Sequence, residues 1–271
     1  MTPDDINSVR KKVKELSPLV HCITNPISIN QCANGVLGVG ARPIMAEHPL
    51  EAEEITKTAH ALVMNLGNIT DVRMKSMLIS GSRAKKDGIP RVIDMVGVAC
   101  SQLRRDFAAQ LIKTASPGLI KGNYSEIKAL ADPEYNSPGV DTEAGLTENI
   151  IAKAAVELAQ KYNTIVLASG KTDIVTDGNR LVYIKNGSPR LSAVTGTGCM
   201  LGALCGCFMA VCGDILAPVA ACAVMGISGE LSGNIQGTGS FMVSLLDNLS
   251  TLSDKDIDKF LKTEEKKIEK I

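Results

Sequence analysis

The densest chemistry in the sequence lies between Val194 and Met200, VTGTGCM. Gly196, Thr197 and Gly198 set backbone amides close together with little side chain between them. They lead into LGALCGCFMAV, an apolar run that suits a buried helix. At a helix N-terminus such amides, helped by the positive end of the dipole, bind an anion the size of a transferring phosphoryl group. Cys199 falls in the first turn of that helix, where a thiol is expected to titrate low and can take a proton from a substrate hydroxyl. A glycine turn capping a core helix around a packed thiol has the same local signature.

Two carboxylates are candidates for a metal ion. Asn123-Tyr124-Ser125-Glu126 opens a helix directly after an apolar run. Glu126 there can hold a hydrated Mg²⁺, which keeps several waters and needs only one or two carboxylates beside phosphates. A Glu near a helix start also serves as a cap. Asp94, in VIDMVGV, is the second candidate, or else a solvated residue at a strand end. Gly170-Lys171-Thr172 resembles the tail of a P-loop, but Ile165 stands where the first Gly is required. His21, His48 and His60 form no cluster; His21 is expected to be structural and the others to lie on the surface.

These residues need elements to position them. Short apolar runs at Leu19–Thr24, Ala61–Met64, Arg91–Ile93, Gly118–Ile120 and Thr164–Ala168 alternate with longer segments of helical period. That alternation predicts βαβ units and a mainly parallel sheet covered on both faces. Each run ends on a polar residue: Asn25, Asn65, Asp94, Lys121 with Asn123, and Ser169. Ligands of open α/β sheets bind outside the carboxyl ends of the strands, so these positions can converge on one crevice. Segment 144–162 predicts an amphipathic helix, and Met200–Ile227 two buried helices broken at Gly213-Asp214. Asp177-Gly178 and Asn186-Gly187 are hairpin signals. From Ser253 the pattern predicts one charged surface helix with Ile257, Phe260, Leu261 and Ile268 on one side.

Bulk properties narrow the class. The chain has 271 residues, 45% of them hydrophobic and 21% charged, so it is expected to fold as a globular protein. Lys+Arg and Asp+Glu are both 29, without the basic excess of a nucleic-acid binder. Trp is absent and aromatic content is 3%, so a bound ring is expected to lie against aliphatic or Met side chains. The first 16 residues are charged and do not read as a leader, and neither half of the apolar 200–227 region is long enough to span a bilayer. Eight cysteines without a CxxC pair read as reduced residues of a cytoplasmic protein with no membrane partner.

Taken together, these segments resemble the ribokinase-like superfamily and, within it, the hydroxyethylthiazole kinases of thiamine salvage. The matching pieces are VHCITNPISINQCANGVLGVGARPIM (20–45), MNLGN (64–68), VIDMVGV (92–98), KGNYSEI (121–127), TDIVTDG (172–178), VTGTGCMLGALCG (194–206) and GSFMVSLLDNL (239–249). The resemblance implies a single domain over 1–271 with a three-layer α/β/α fold and no lid, assembled as a homotrimer with active sites between subunits. It implies ATP-dependent phosphorylation of the hydroxyl of 4-methyl-5-(2-hydroxyethyl)thiazole with Mg²⁺. By position, Cys199 would be the base and Gly196, Thr197 and Gly198 the anion hole. Asp94 and Glu126 would serve the metal, while Lys121, Asn123 and Ser169 would contact ATP. Asn25, Met45 and Gly196 would contact the thiazole alcohol. The chain carries Lys121 where the family usually has Arg, Ser169 where it has Thr, and Met95 where it has Pro. Alternatives on the same fold are a hydroxymethylpyrimidine kinase, an ATP-dependent repair dehydratase and a non-catalytic nucleotide-binding regulator.

Overall fold

The computed structural model describes residues 1–135 and 145–268. Nine strands form one sheet: β1 (Leu19–Ile23), β2 (Arg42–Ile44), β3 (Ala61–Asn65), β4 (Arg91–Asp94), β5 (Leu119–Asn123), β6 (Ile165–Ser169), β7 (Asp173–Thr176), β8 (Arg180–Ile184) and β9 (Thr263–Lys267). Its order is β2-β1-β3-β4-β5-β6-β7-β8-β9, parallel through β6 and antiparallel beyond. The helices are α1 (Pro3–Leu16), α2 (Ile29–Gly38), α3 (Ala52–Thr58), α4 (Asp71–Lys86), α5 (Gln102–Ala115), α6 (Tyr124–Ala131), α7 (Glu148–Tyr162), α8 (Thr197–Met209), α9 (Leu216–Leu231), α10 (Thr238–Thr251) and α11 (Asp254–Phe260).

Period-two alternation splits each inner strand between two cores. Ala61 and Val63 of β3 pack under α1, α2 and α8 to α11, whereas Leu62 and Met64 pack under α4 to α7. Both faces of the sheet are therefore covered, and the expected three-layer α/β/α fold is the observed one. Because β1 lies between β2 and β3, the chain reverses its winding direction between β1 and β3. Such a switch point opens a crevice at the carboxyl ends of the strands. The five expected parallel strands are all present, and Asp177-Gly178 does join β7 to β8.

Other expectations are corrected. Strand β2 is an edge strand of three residues containing Pro43, too short to stand out as an apolar run. The C-terminal stretch is not one helix: α11 ends at Phe260, and Thr263–Lys267 pairs antiparallel with β8. An unpaired edge of β8 would leave a row of amides and carbonyls without partners, and a strand of charged residues both satisfies it and blunts the new edge. Asn186-Gly187 makes no hairpin. Asn186 instead donates to the Phe260 carbonyl (2.7 Å) and accepts from the Lys262 amide (2.8 Å), which steers the C-terminal segment onto β8. Helix α7 begins at Glu148 behind the Thr147 cap; residue 144 of the expected helix lies outside the described residues. His21 is buried, with Nε2 2.8 Å from the Ala46 carbonyl, the structural role expected of it.

Candidate active site

Strand register places three polar side chains in one row. Asn65 at the end of β3 pairs with Asp94 of β4, and Asp94 pairs with Lys121 of β5. All three are buried. Asn65 Nδ2 donates to Asp94 Oδ2 (2.8 Å). Lys121 Nζ donates to Asp94 Oδ1 (3.0 Å) and Oδ2 (3.1 Å), and also to the carbonyl of Gly198 (2.9 Å) at the start of α8. Burial alone would depress the Lys121 ammonium, but the charges of Asp94 and Glu126 outweigh it and hold the group well above its ordinary value. Lys121 thus stays cationic, held between Asp94 and the Gly198 carbonyl.

Helix α8 delivers the VTGTGCM residues to this row. Its cap, Gly196, has φ +88°, a left-handed conformation that glycine adopts without penalty. A Cβ there would also come within 3.0 Å of Ser28 Cβ. The Met200 amide makes the bond to the Gly196 carbonyl (2.8 Å), so the amides of Thr197, Gly198 and Cys199 precede it and face out of the helix end. The Thr197 hydroxyl turns back to the Leu191 carbonyl (2.7 Å), so this residue offers its amide, not its side chain, to an anion.

Cys199 is half-buried beside Asp94, Lys121, Ser28 and Asn65. Its thiol does not titrate low, as the helix position predicts. Burial pushes it up, and the Asp94 charge adds to the rise. Lys121 and hydrogen bonds from Ser28 and Asn65 recover only part of the difference. The dipole of a helix end acts over one turn and loses here to desolvation next to a carboxylate. Ser28, fully buried against the Gly196 turn, is a site neighbour that no local motif marks.

On the other side of the row, Asn123 ends β5 in register with Ser169 of β6. Asn123 and Glu126 form a capping box: Asn123 Oδ1 accepts from the Glu126 amide (2.9 Å), and Glu126 Oε2 accepts from the Asn123 amide (2.7 Å). Glu126 Oε1 accepts from the Gly97 amide (2.8 Å) in the loop after Asp94. Burial, then the Asp94 charge, hold the Glu126 carboxyl up to about 7. Asn25 follows β1 at the switch point; a Cβ on Gly67 would lie 2.8 Å from both Asn25 Nδ2 and Asn65 Oδ1. Met45 follows β2 and packs, half-buried, against the same core as Cys199. The strand ends therefore bring together Asn65, Asp94, Lys121, Gly198 and Cys199, with Asn25 on one flank and Asn123, Glu126 and Ser169 on the other.

This assembly supplies open helix-end amides, a half-buried thiol in the same turn, and a buried charge row beside both. Comparisons with known proteins give the family. The model of the hydroxyethylthiazole kinase family matches residues 10–255. Hydroxyethylthiazole kinase 2 of Clostridium botulinum (strain 657 / Type Ba4) is 48% identical over 254 residues, 91% of this chain and 95% of that protein. Hydroxyethylthiazole kinase of Thermoanaerobacter sp. (strain X514) is 39% identical over 94% of this chain and 97% of that protein. The solved structure of the hydroxyethylthiazole kinase protein from Pyrococcus horikoshii OT3 superposes with a TM-score of 0.89 at 34% identity, covering 97% of this chain and 99% of that one. By sequence over nearly its whole length, and by fold, the chain belongs to the hydroxyethylthiazole kinase family.

Proposed function

We propose that this chain transfers the γ-phosphate of ATP to the hydroxyl of 4-methyl-5-(2-hydroxyethyl)thiazole, a thiamine-salvage reaction. The observation that carries the reading is the open amide end of α8 seated over the Asn65–Asp94–Lys121 row. Phosphoryl transfer has a loose transition state, so positioning and charge stabilisation supply most of the catalysis. The amides of Thr197, Gly198 and Cys199 receive the transferring group, and Cys199 accepts the hydroxyl proton. A general base contributes about 10²–10⁴-fold, or roughly 3–5 kcal/mol, less than the whole barrier reduction a kinase needs. Asn25, Met45 and Gly196 flank the alcohol; Asn123 and Ser169, adjacent across β5 and β6, face the nucleotide. One kinase domain spanning 1–271 is our assignment.

A divalent cation fits this site. Asp94 and Glu126 are both buried, with the Lys121 ammonium beside them, and burial, then the Asp94 charge, holds the Glu126 carboxyl up to about 7. Among the described residues no three His, Cys, Asp or Glu side chains gather closely enough to hold a metal alone. That donor set suits Mg²⁺ held largely by phosphates and water, with Glu126 and Asp94 behind it. When bound, the ion would neutralise charge on the phosphate oxygens.

Coupled ADP release across thiazole, pyrimidine and sugar alcohols tests the reading. Mg²⁺-dependent turnover is expected with hydroxyethylthiazole and little with ribose or pyridoxal. A sugar preferred by more than tenfold in kcat/KM overturns the substrate assignment, and ATP binding without turnover of any alcohol favours a regulator.

The family likeness also supports a homotrimer with sites between subunits. Exposed Ile27 (62%) and Leu50 (88%) border the Asn25 and Met45 segments and suit a neighbouring subunit. Light scattering should give about three times 28.6 kDa; a monomer mass at micromolar concentration refutes it. No helix of the described residues is long and apolar enough to cross a membrane, and the eight free cysteines suit a cytoplasmic enzyme.

A further inference from the structure

We propose that Arg73 is a positioning residue for the alcohol, a brace that ties the Met45 loop after β2 to the loop after β3 and so fixes one wall of the alcohol pocket. The inference rests on the kinase reading of the site and on Met45 as part of that wall.

Arg73 lies buried in the first turn of α4, and separate donors of its guanidinium reach two loops. Nε donates to Glu47 Oε2 (2.6 Å), and Nη1 donates to the Asn68 carbonyl (2.9 Å). A planar, always charged fork suits such a bridge; the point charge of a Lys does not. Glu47 stands two positions after Met45. Its own carbonyl accepts from Ser76 Oγ (2.6 Å), three residues further along α4, and the Ala46 carbonyl lies 2.8 Å from His21 Nε2. The two residues after Met45 are thus held by main chain and side chain alike, while Met45 itself keeps its side chain for the pocket. At the other end of the brace, Asn68 is left-handed at φ +49°, and Gly67 before it sits against Asn25 and Asn65.

The brace serves one side of the site. The Leu66 carbonyl, on the near side of Gly67, is held by Arg104 Nη1 (2.6 Å), which also holds the Val96 carbonyl (2.8 Å) in the loop after Asp94. Losing Arg73 therefore leaves the Asp94 and Glu126 side with its own fastening and frees the Met45 side. The Glu47 side chain is 40% exposed and can turn to water when its partner is gone, so the fold should lose little. What is lost is pre-organisation: the Met45 loop must then be ordered again each time the alcohol binds.

The test has two arms on the full-length enzyme. In the kinetic arm, Arg73→Met should raise the KM for hydroxyethylthiazole about tenfold, with kcat and the ATP KM within about threefold of wild type. Glu47→Ala should do the same. The double variant should stay within about threefold of either single, because both substitutions remove one brace. An alcohol KM within about threefold of wild type in both singles, effects that multiply in the double variant, or an equal rise in the ATP KM each overturns the proposal. A fall in Tm with the alcohol KM unchanged makes Arg73 structural only and defeats it too. In the second arm, hydrogen exchange is followed by mass spectrometry without substrate. Peptides covering 44–49 and 66–70 should exchange faster in Arg73→Met than in wild type, while 95–98 should not, since Arg104 still holds Val96. Unchanged exchange in both loops overturns the brace. A wild type that turns over no thiazole alcohol sinks the kinase reading instead, and the exchange pattern then decides the brace by itself. If Arg73→Met does not fold, Glu47→Ala carries the KM comparison and the exchange of 44–49.

Discussion

A Gly198→Val protein is expected to fold, to bind ADP, and to lose at least about a hundredfold in kcat, the loss seen when one anion-stabilising donor is removed. The fold should tolerate the change. Gly198 lies outside the left-handed region, and a Cβ added there meets only Lys121 Nζ at 3.6 Å, an ordinary contact. Valine in a helical position costs under about 1 kcal/mol relative to the best helix formers. What the side chain does obstruct is the space in front of the amides of Thr197, Gly198 and Cys199, where the phosphoryl oxygens must approach. Gly196 offers no such clean experiment. Its φ of +88° and the Ser28 Cβ at 3.0 Å mean that any side chain strains the turn itself, so lost activity there would report on folding. Measuring kcat, ADP Kd and Tm of Gly198→Val together decides the matter. A kcat within about threefold of wild type, in a protein of unchanged Tm, would place phosphoryl transfer somewhere other than this helix end.

The contrast between the two glycines shows what the residues announce by themselves. Asn25, Asn65, Asp94, Asn123 and Ser169 are legible as neighbours at one edge of the sheet because each ends an apolar run, and a parallel sheet delivers such ends together. Turn and cap chemistry is local too, so the β7–β8 hairpin and the Asn123–Glu126 box could be read from a few adjacent residues. The hold of Asp94 and Gly198 on Lys121 could not. It depends on Asp94 lying opposite in the β4–β5 register and on α8 arriving from 77 positions later to present the Gly198 carbonyl. Nor could strand β9, whose charged residues TEEKK suit a surface helix until β8 stands unpaired beside them. The thiol of Cys199 departs from its local expectation for the same reason. Its helix-end position is written in the local sequence, but the burial that raises it, and the Asp94 carboxylate that adds to the rise, come from packing against a strand more than a hundred residues earlier.

That raised thiol sharpens the second large effect, the opposite fates of two substitutions at Cys199. If Cys199 is the base, Cys199→Ala should lower kcat by about 10²–10⁴-fold while ATP Kd and Tm stay near wild type, because only proton transfer is removed. Cys199→Asp should retain activity, since a carboxylate at the same place can accept the proton. The pH profile separates them further. Burial and Asp94 hold the thiol above its ordinary value of 9.0, so the thiolate is scarce at neutral pH and wild-type kcat should climb as pH rises. An Asp is ionised at far lower pH even when burial raises it, so its profile should flatten earlier. If instead Cys199 is a packed thiol of the α8 core, the order inverts. Ala then costs stability through a small cavity with activity per folded molecule unchanged, and Asp costs more, a second carboxylate buried beside Asp94 without a cation of its own. Activity that follows Asp above Ala assigns the proton to this position; stability that follows Ala above Asp, with equal activities, removes it.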